Sequence, residues 1–119
     1  MSELLSLQQS FPVLIGKLIT YAYSQGYLLT FGETWRSPEE AAVQAARGAG
    51  IAHSLHTERL ACDLNLFRAS APNVLLTGTE DYRPLGVYWK TLHSQARWGG
   101  DFVTRPDADH FSLTFGGIE

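Results

Sequence analysis

The chain has 119 residues, a formal net charge of −3, 45% hydrophobic residues and 18% charged residues, which suits one domain over residues 1–119 with a hydrophobic core of its own. The sequence has no run of Lys or Arg, which excludes nucleic-acid binding through phosphate neutralisation, and no segment has the ~20 apolar residues that stable membrane insertion requires. The single cysteine, Cys62, cannot form an intramolecular disulfide and gives no sign of an oxidising compartment.

The N-terminal segment predicts an amphipathic helix. Its acidic start at Glu3 differs from the basic start of a secretory signal, so we expect accumulation in the cytoplasm. Ser10 as N-cap and Pro12 in the first turn predict a regular helix from Pro12 to Ser24, preceded by a shorter turn and ended by Gly26. Apolar residues that recur mostly three and four apart would form its buried face: Leu4, Leu5, Leu7, Phe11, Leu14, Ile15, Leu18, Ile19 and Ala22.

A strand and a capped helix are predicted next. Residues 27–33 are rich in strand-forming side chains. Ser37 as N-cap, Pro38 at the first position and Glu40 three residues after the cap predict a helix from Pro38 to about Ala46. Arg36 lies in the turn between the two elements, where its side chain could project over the end of a sheet. The alternative is a solvated loop position.

The segment from Leu60 to Phe67 is largely apolar and predicts a central strand. Asp63 lies in the middle of it. Burying an unpaired polar group costs up to ~7 kcal/mol, and an unpaired charge costs more. The carboxylate of Asp63 must therefore be paired or bound to a cation.

The C-terminal half predicts a short strand, a helix and a final strand. The short strand covers residues 74–76, and residues 79–97 show helix signals with an acidic first turn. Pro84 favours a regular helix that starts at that position. A glycine-rich turn at 98–102 would end it, and residues 110–115 roughly alternate as a final strand does.

Three residues from separate segments, His56, Asp63 and His110, could bind one zinc ion, because zinc accepts imidazole nitrogen and carboxylate oxygen. Three protein ligands leave one position open, which is typical of a catalytic site. The alternative is a set of capping carboxylates and hydrogen-bonded core histidines. Catalysis also needs a carboxylate that does not bind the metal. Asp107 needs a turn to reach the pocket, Asp109 in an extended chain points to the opposite side, and spacing alone does not choose between them.

The ordered combination of three motifs resembles that of zinc peptidases that act on bacterial cell-wall peptides, namely D-alanyl-D-alanine carboxypeptidases and phage L-alanyl-D-glutamate endolysins. The motifs are Ser54-x-His56-x(6)-Asp63-Leu64, Trp98-Gly99-Gly100-Asp101-Phe102 and Asp107-x-x-His110-Phe111. The resemblance covers most of the chain, from about residue 35 to residue 115. It implies a small α+β domain in which an antiparallel sheet packs with helices, a fold that the hedgehog signalling domain shares.

The resemblance also implies roles for individual residues. It implies one Zn²⁺ ion held by His56, Asp63 and His110, and it places the catalytic carboxylate on Asp107.

Two further residues match the pattern, and one departs from it. Arg36 matches an arginine that faces the substrate, and Ser54 matches the serine before the first ligand, which we also assign to substrate binding. Arg59 stands where many members have glycine, and the Arg-Leu-Ala sequence there is closer to that of phage enzymes.

The resemblance implies a peptide substrate from peptidoglycan. For a short chain of the phage type it implies a monomeric endolysin that cuts the L-alanyl-D-glutamate bond and lyses the host. Such a protein would wait in the host cytoplasm until it is released to the cell wall. The alternatives are a D-alanyl-D-alanine carboxypeptidase and a non-catalytic, zinc-stabilised binding module.

Overall fold

The computed structural model describes residues 2–48 and 54–119. Within these ranges, three helices pack with an antiparallel sheet, as the predicted α+β class requires. None of these helices combines the length and apolar character that a bilayer crossing needs. The elements in chain order are α1 (Glu3–Ser24), β1 (Tyr27–Phe31), α2 (Pro38–Ala46), β2 (Ala61–Arg68), β3 (Ala71–Leu76), α3 (Thr79–Thr91), β4 (Ala96–Trp98), a 3₁₀ turn (Gly99–Asp101) and β5 (His110–Leu113).

The strand β2 is central, as its apolar sequence predicted. β1 pairs antiparallel with its C-terminal part, and β3 pairs with its C-terminal end. β5 pairs antiparallel with its N-terminal part, in a register that places His110 opposite Asp63. β4 lies on the far side of β5. This register places two of the predicted metal ligands, Asp63 and His110, next to each other.

The first helix is longer than predicted, because it runs unbroken through Pro12 from Glu3 to Ser24. Its N-cap is Ser2, not Ser10, and the Ser2 hydroxyl accepts a hydrogen bond from Leu5 N at 3.1 Å. Pro12 lies on the exposed face, where water can satisfy the carbonyl that its missing N–H leaves free. Packing of the apolar face outweighs the proline penalty. That face consists of Leu7, Phe11, Leu14, Ile15, Leu18 and Ala22.

The third helix also differs from the prediction at both ends. It starts at Thr79 rather than at Pro84, and the Gly78 N–H before it donates to Asp81 Oδ2 at 3.1 Å. It ends at Thr91, because residues 96–98 pair with β5 as the unpredicted strand β4. Residues 92–97 carry local helix signals, but the pairing of residues 96–98 with residues 111–113 of β5 outweighs them.

Trp98 connects α3 to the loop that precedes β5. Its side chain is fully buried, and its Nε1 donates to the Ala108 carbonyl at 2.7 Å. The ring lies so close to two glycines that a Cβ on Gly86 would be 2.2 Å from its Cδ2 and a Cβ on Gly100 would be 2.1 Å from its Cζ2. The glycines therefore make room for the ring.

Gly86→Ala should lower the free energy of unfolding, although alanine is the better helix former. An exposed Gly→Ala change within a helix typically gains ~1 kcal/mol, whereas overpacking a core costs ~1–3 kcal/mol. Gly16→Ala is the matched control, because Gly16 lies within α1 and no atom within 4 Å would meet its Cβ. Urea denaturation should show opposite signs for the two variants. Equal stabilisation by both would contradict the packing of Trp98 on Gly86.

Candidate metal centre

Asp63 lies at the centre of the predicted ligand cluster. Its Oδ1 lies 3.3 Å from His56 Nε2 and 3.5 Å from His110 Nδ1. The three ligand atoms all lie within 4.8 Å of one another. Two atoms that each lie ~2.1 Å from a tetrahedral zinc ion are ~3.4 Å apart, so the separations from Asp63 suit a shared ion. The structure thus brings together the three residues that the sequence pattern selected.

His56 is held by a tight turn that precedes β2. The Ser54 hydroxyl accepts a hydrogen bond from His56 N at 3.2 Å, and Arg36 N donates to the His56 carbonyl at 3.2 Å. The helix α1 also supports this turn, since Gln8 Nε2 donates to the Glu58 carbonyl at 2.8 Å. These bonds hold the His56 backbone in place, and the His56 side chain is buried.

Arg59 has φ of 59°, a left-handed conformation that favours glycine. It ends the turn, in which Leu60 N donates to the Leu55 carbonyl at 3.0 Å. Its guanidinium lies 5.0 Å from the centre of the exposed Trp35 ring. Arginine therefore adopts a backbone conformation that is strained for a side chain with a Cβ, and a cation–π contact offsets part of the strain.

Replacing Arg59 should separate the backbone strain from the cation–π contact. Arg59→Ala keeps the strain and loses the contact, so it should destabilise by ~0.5–1 kcal/mol. Arg59→Gly also loses the contact but relieves the strain, so it should be more stable than Arg59→Ala by ~1 kcal/mol. Chemical denaturation of wild type, Arg59→Ala and Arg59→Gly measures the free energies of the cation–π contact and of the backbone strain. Equal stability of the glycine and alanine variants would show that position 59 is not strained.

The charge and hydrogen bonding of the cluster favour a bound cation. Burial raises the pKa of Asp63, but the imidazoles of His110 and His56 outweigh this effect and lower it to about 2. The carboxylate is therefore ionised at neutral pH. Its buried Oδ1 nevertheless makes no hydrogen bond with any residue that the structure describes. Two imidazole nitrogens lie close to this oxygen. A buried, ionised oxygen without a hydrogen bond is costly, and a divalent ion held by the three residues would satisfy it. The nitrogen and oxygen donors of the cluster suit zinc.

His110 is oriented by the C-terminal segment. Its Nε2 lies 3.1 Å from the carbonyl oxygen of Glu119, which also accepts a hydrogen bond from the Ser112 hydroxyl. In the neutral tautomer with the proton on Nε2, that nitrogen donates to Glu119 and Nδ1 is left to bind a metal. Burial lowers the pKa of His110, but the adjacent Asp63 carboxylate, the Glu119 carbonyl and the charge of Asp107 raise it above its usual value.

Two further carboxylates adjoin the ligands. Asp107 is exposed, and its Oδ2 lies 3.9 Å from His110 Nδ1. The glycine turn positions it, since Asp107 N donates to the Gly99 carbonyl at 2.9 Å and a Cβ on Gly99 would lie 2.0 Å from the Asp107 carbonyl oxygen. The small glycine thus allows this loop to approach the ligands.

Asp109 does not point away from the site, so that expectation from the sequence is wrong. Residues 108–109 form a turn, not an extended segment, and His110 N donates to the Asp107 carbonyl at 3.1 Å. Carboxylate oxygens of Asp63, Asp107 and Asp109 consequently lie within 4.8 Å of one another. Burial raises the pKa of Asp109 to about 7, and hydrogen bonding to Asp107 and the charges of the other two carboxylates add to this rise.

A cavity of about 830 Å³ opens beside the cluster, and both predicted substrate-binding residues line it, Arg36 and Ser54. The Arg36 side chain is only 13% exposed and its Nη2 donates to Glu33 Oε1, so Arg36 is not a solvated loop residue. The Ser54 hydroxyl accepts from His56 N, and its own hydrogen is left to donate into the cavity.

Sequence patterns missed several residues near the site. Glu33 contacts Arg36, and Arg97 and Arg105 line the cavity. The Phe102 ring centre lies 5.5 Å from that of His110. Phe102 belongs to a motif that the sequence did single out, but nothing in the local sequence distinguishes the other three from ordinary surface charges.

The fold and the His-Asp-His cluster beside an open cavity define a small α+β protein with a candidate catalytic metal centre. The sequence profile of peptidase family M15, described as D-alanyl-D-alanine carboxypeptidase, matches residues 47–113, which is more than half of the chain. The chain belongs to this peptidase family, and the resemblance predicted from the motifs is confirmed.

Among solved structures, the chain is similar to the crystal structure of the L-Ala D-Glu endopeptidase ChiX from Serratia marcescens. The two share 24% sequence identity with a TM-score of 0.68, and the match covers 87% of this chain and 80% of that one. This likeness confirms the predicted fold class. A comparison with curated proteins found no match.

Proposed function

We propose that the protein is a zinc-dependent peptidase that hydrolyses peptide bonds in the stem peptide of peptidoglycan. The observation that carries the proposal is the convergence of His56 Nε2, Asp63 Oδ1 and His110 Nδ1 beside an open cavity, with the buried Asp63 Oδ1 left without a hydrogen bond in the described part of the chain. Membership of a peptidase family supports it. When bound at these three residues, zinc supplies Lewis-acid chemistry, which activates water and polarises a carbonyl at neutral pH.

We assign the proton transfers to Asp107. Its carboxylate lies at the cavity, close to His110 but outside the His-Asp-His ligand set. It can take a proton from the attacking water and later pass it to the leaving amine, as a general base and then a general acid.

We assign substrate positioning to Arg36 and Ser54. Arg36 lines the cavity, where its guanidinium can donate to a carbonyl or carboxylate of the substrate. The Ser54 hydroxyl can donate to the same substrate while it holds the His56 backbone.

The bond that we propose is L-alanyl-D-glutamate. The fold likeness to ChiX and the resemblance to phage enzymes support this choice. In that setting the protein would be a monomeric phage or prophage endolysin, held in the host cytoplasm until release to the wall causes lysis. The description of the matching family favours a second candidate, a D-alanyl-D-alanine carboxypeptidase. A non-catalytic zinc-stabilised module is less consistent with a free carboxylate beside the ligands.

Zinc content and a muropeptide digest test the proposal together. Purified protein should contain about one zinc per chain, and it should release stem peptides with a free D-glutamate amino group from purified peptidoglycan, detected by mass spectrometry. Chelation should stop the reaction and added zinc should restore it. Loss of only a terminal alanine would favour the carboxypeptidase. A zinc-replete protein that leaves peptidoglycan intact would refute the peptidase proposal.

A further inference from the structure

Glu33 lies two residues after the end of β1, and its backbone is hydrogen-bonded to the strand that carries Asp63. Asp63 N donates to the Glu33 carbonyl at 2.8 Å, and Gly32 N donates to the Asp63 carbonyl at 2.8 Å. A Cβ on Gly32 would lie 3.0 Å from Asp63 Cβ, so a larger residue there would push the Gly32 segment away from β2. The backbone of Glu33 is therefore held beside a predicted ligand.

The side chain of Glu33 faces a second predicted ligand. Its Oε1 lies 3.7 Å from His56 Nδ1, the ring nitrogen on the side away from Asp63. The same oxygen accepts a hydrogen bond from Arg36 Nη2. The His56 side chain is 4% exposed, and its Nδ1 makes no hydrogen bond with any described residue. A buried ring N–H without an acceptor is costly, and the Glu33 carboxylate faces it from just beyond hydrogen-bond distance.

We propose that Glu33 is a positioning residue for the metal centre, an inference that rests on the proposed function. Its carboxylate keeps the proton of His56 on Nδ1, so that the Nε2 lone pair points to the ion. A small movement of either side chain converts the 3.7 Å approach into a hydrogen bond. Carboxylates that accept the second N–H of a metal-binding histidine orient the ring and raise its basicity. Because Glu33 also holds Arg36, one side chain connects the metal centre to the substrate-facing wall of the cavity.

A purely structural alternative is that Glu33 only neutralises the partly buried Arg36. The two roles predict different results in a protein that lacks the arginine. If Glu33 serves Arg36 alone, its removal has no effect on zinc binding once Arg36 is methionine. If it serves His56, the loss of zinc affinity persists.

The experiment measures zinc affinity by competition with a chromophoric chelator for wild type, Glu33→Gln, Arg36→Met and the double variant. Glu33→Gln should weaken zinc binding ~10–100-fold, and the same loss should recur in the Arg36→Met background. Glu80→Gln is the matched control, since Glu80 forms an exposed ion pair with Arg83 at the same i,i+3 spacing and should bind zinc as wild type does. Circular dichroism of the chelated proteins checks folding. If Glu33→Gln does not fold, Glu33→Asp keeps the charge with a shorter reach and should also bind zinc more weakly.

The inference would be overturned if Glu33→Gln, or Glu33→Asp where that variant is used, bound zinc with wild-type affinity. It would also be overturned if Glu33→Gln weakened zinc binding in the wild-type background but not in the Arg36→Met background. In either case the proposed function would stand if wild type binds zinc and hydrolyses peptidoglycan. A wild-type protein that binds no zinc would overturn both. The affinity is read without turnover, so the two failures are distinguishable.

Discussion

Asp107→Ala should strongly reduce hydrolysis of peptidoglycan and leave the zinc content unchanged. Asp107 is exposed at the cavity, 3.9 Å from a nitrogen of His110, and does not belong to the His-Asp-His ligand set. General acid–base catalysis by one side chain typically contributes ~10²–10⁴-fold to a rate, so a loss of this size is expected. Release of soluble muropeptides over time measures the activity, and metal analysis of the same sample measures zinc.

Asp109→Ala is the comparison that makes this assignment testable. Asp109 belongs to the same carboxylate cluster, and a pKa near 7 suits a group that exchanges protons at neutral pH. Of the two residues, only Asp107 lines the cavity, so we expect the smaller loss from Asp109→Ala. A larger loss from Asp109→Ala, or near-normal activity of Asp107→Ala, would move the catalytic role to Asp109.

Asp63→Asn should remove both zinc and activity. The amide has nearly the size of the carboxylate but lacks the charge and basicity that a zinc ligand needs. Only the two imidazoles of His56 and His110 would remain in the predicted ligand set. The loss of activity should be at least as large as the ~10²–10⁴-fold expected for the loss of the general base. Without the ion, neither the water would be activated nor the substrate carbonyl polarised.

Thermal unfolding with and without zinc tests Asp63→Asn independently of activity. A ligand that binds only the folded state stabilises it by ~2.7 kcal/mol at 100 times its Kd, so added zinc should raise the Tm of chelated wild type and leave that of Asp63→Asn unchanged. Asp101→Asn is a suitable control, because Asp101 pairs with Lys90 at 2.6 Å and does not line the cavity. A zinc-dependent rise in Asp63→Asn would contradict the assigned ligand set.

Local sequence predicted those elements whose stabilisation is itself local. The helix α2 has the predicted bounds, because the Ser37 hydroxyl accepts from Glu40 N at 3.0 Å, an interaction between neighbours in the chain. The helix α1 exceeds its prediction, because the cost of Pro12 is local but the benefit of burying Leu7 and Phe11 comes from distant elements. The strand β4 was missed for the same reason, since only pairing with β5 stabilises it.

The sequence by itself predicted the donor set of the candidate metal centre. A carboxylate in an apolar strand demands a cation or a partner, and ordered histidines and carboxylates indicate which cation. Only the tertiary structure decided the geometry. The antiparallel register sets His110 opposite Asp63, a tight turn with a left-handed Arg59 returns His56 to them, and a turn at 108–109 brings in Asp109. The register joins residues 47 positions apart, and the two turns serve the site only because that pairing brings their segments together, which the identities of neighbouring residues do not encode.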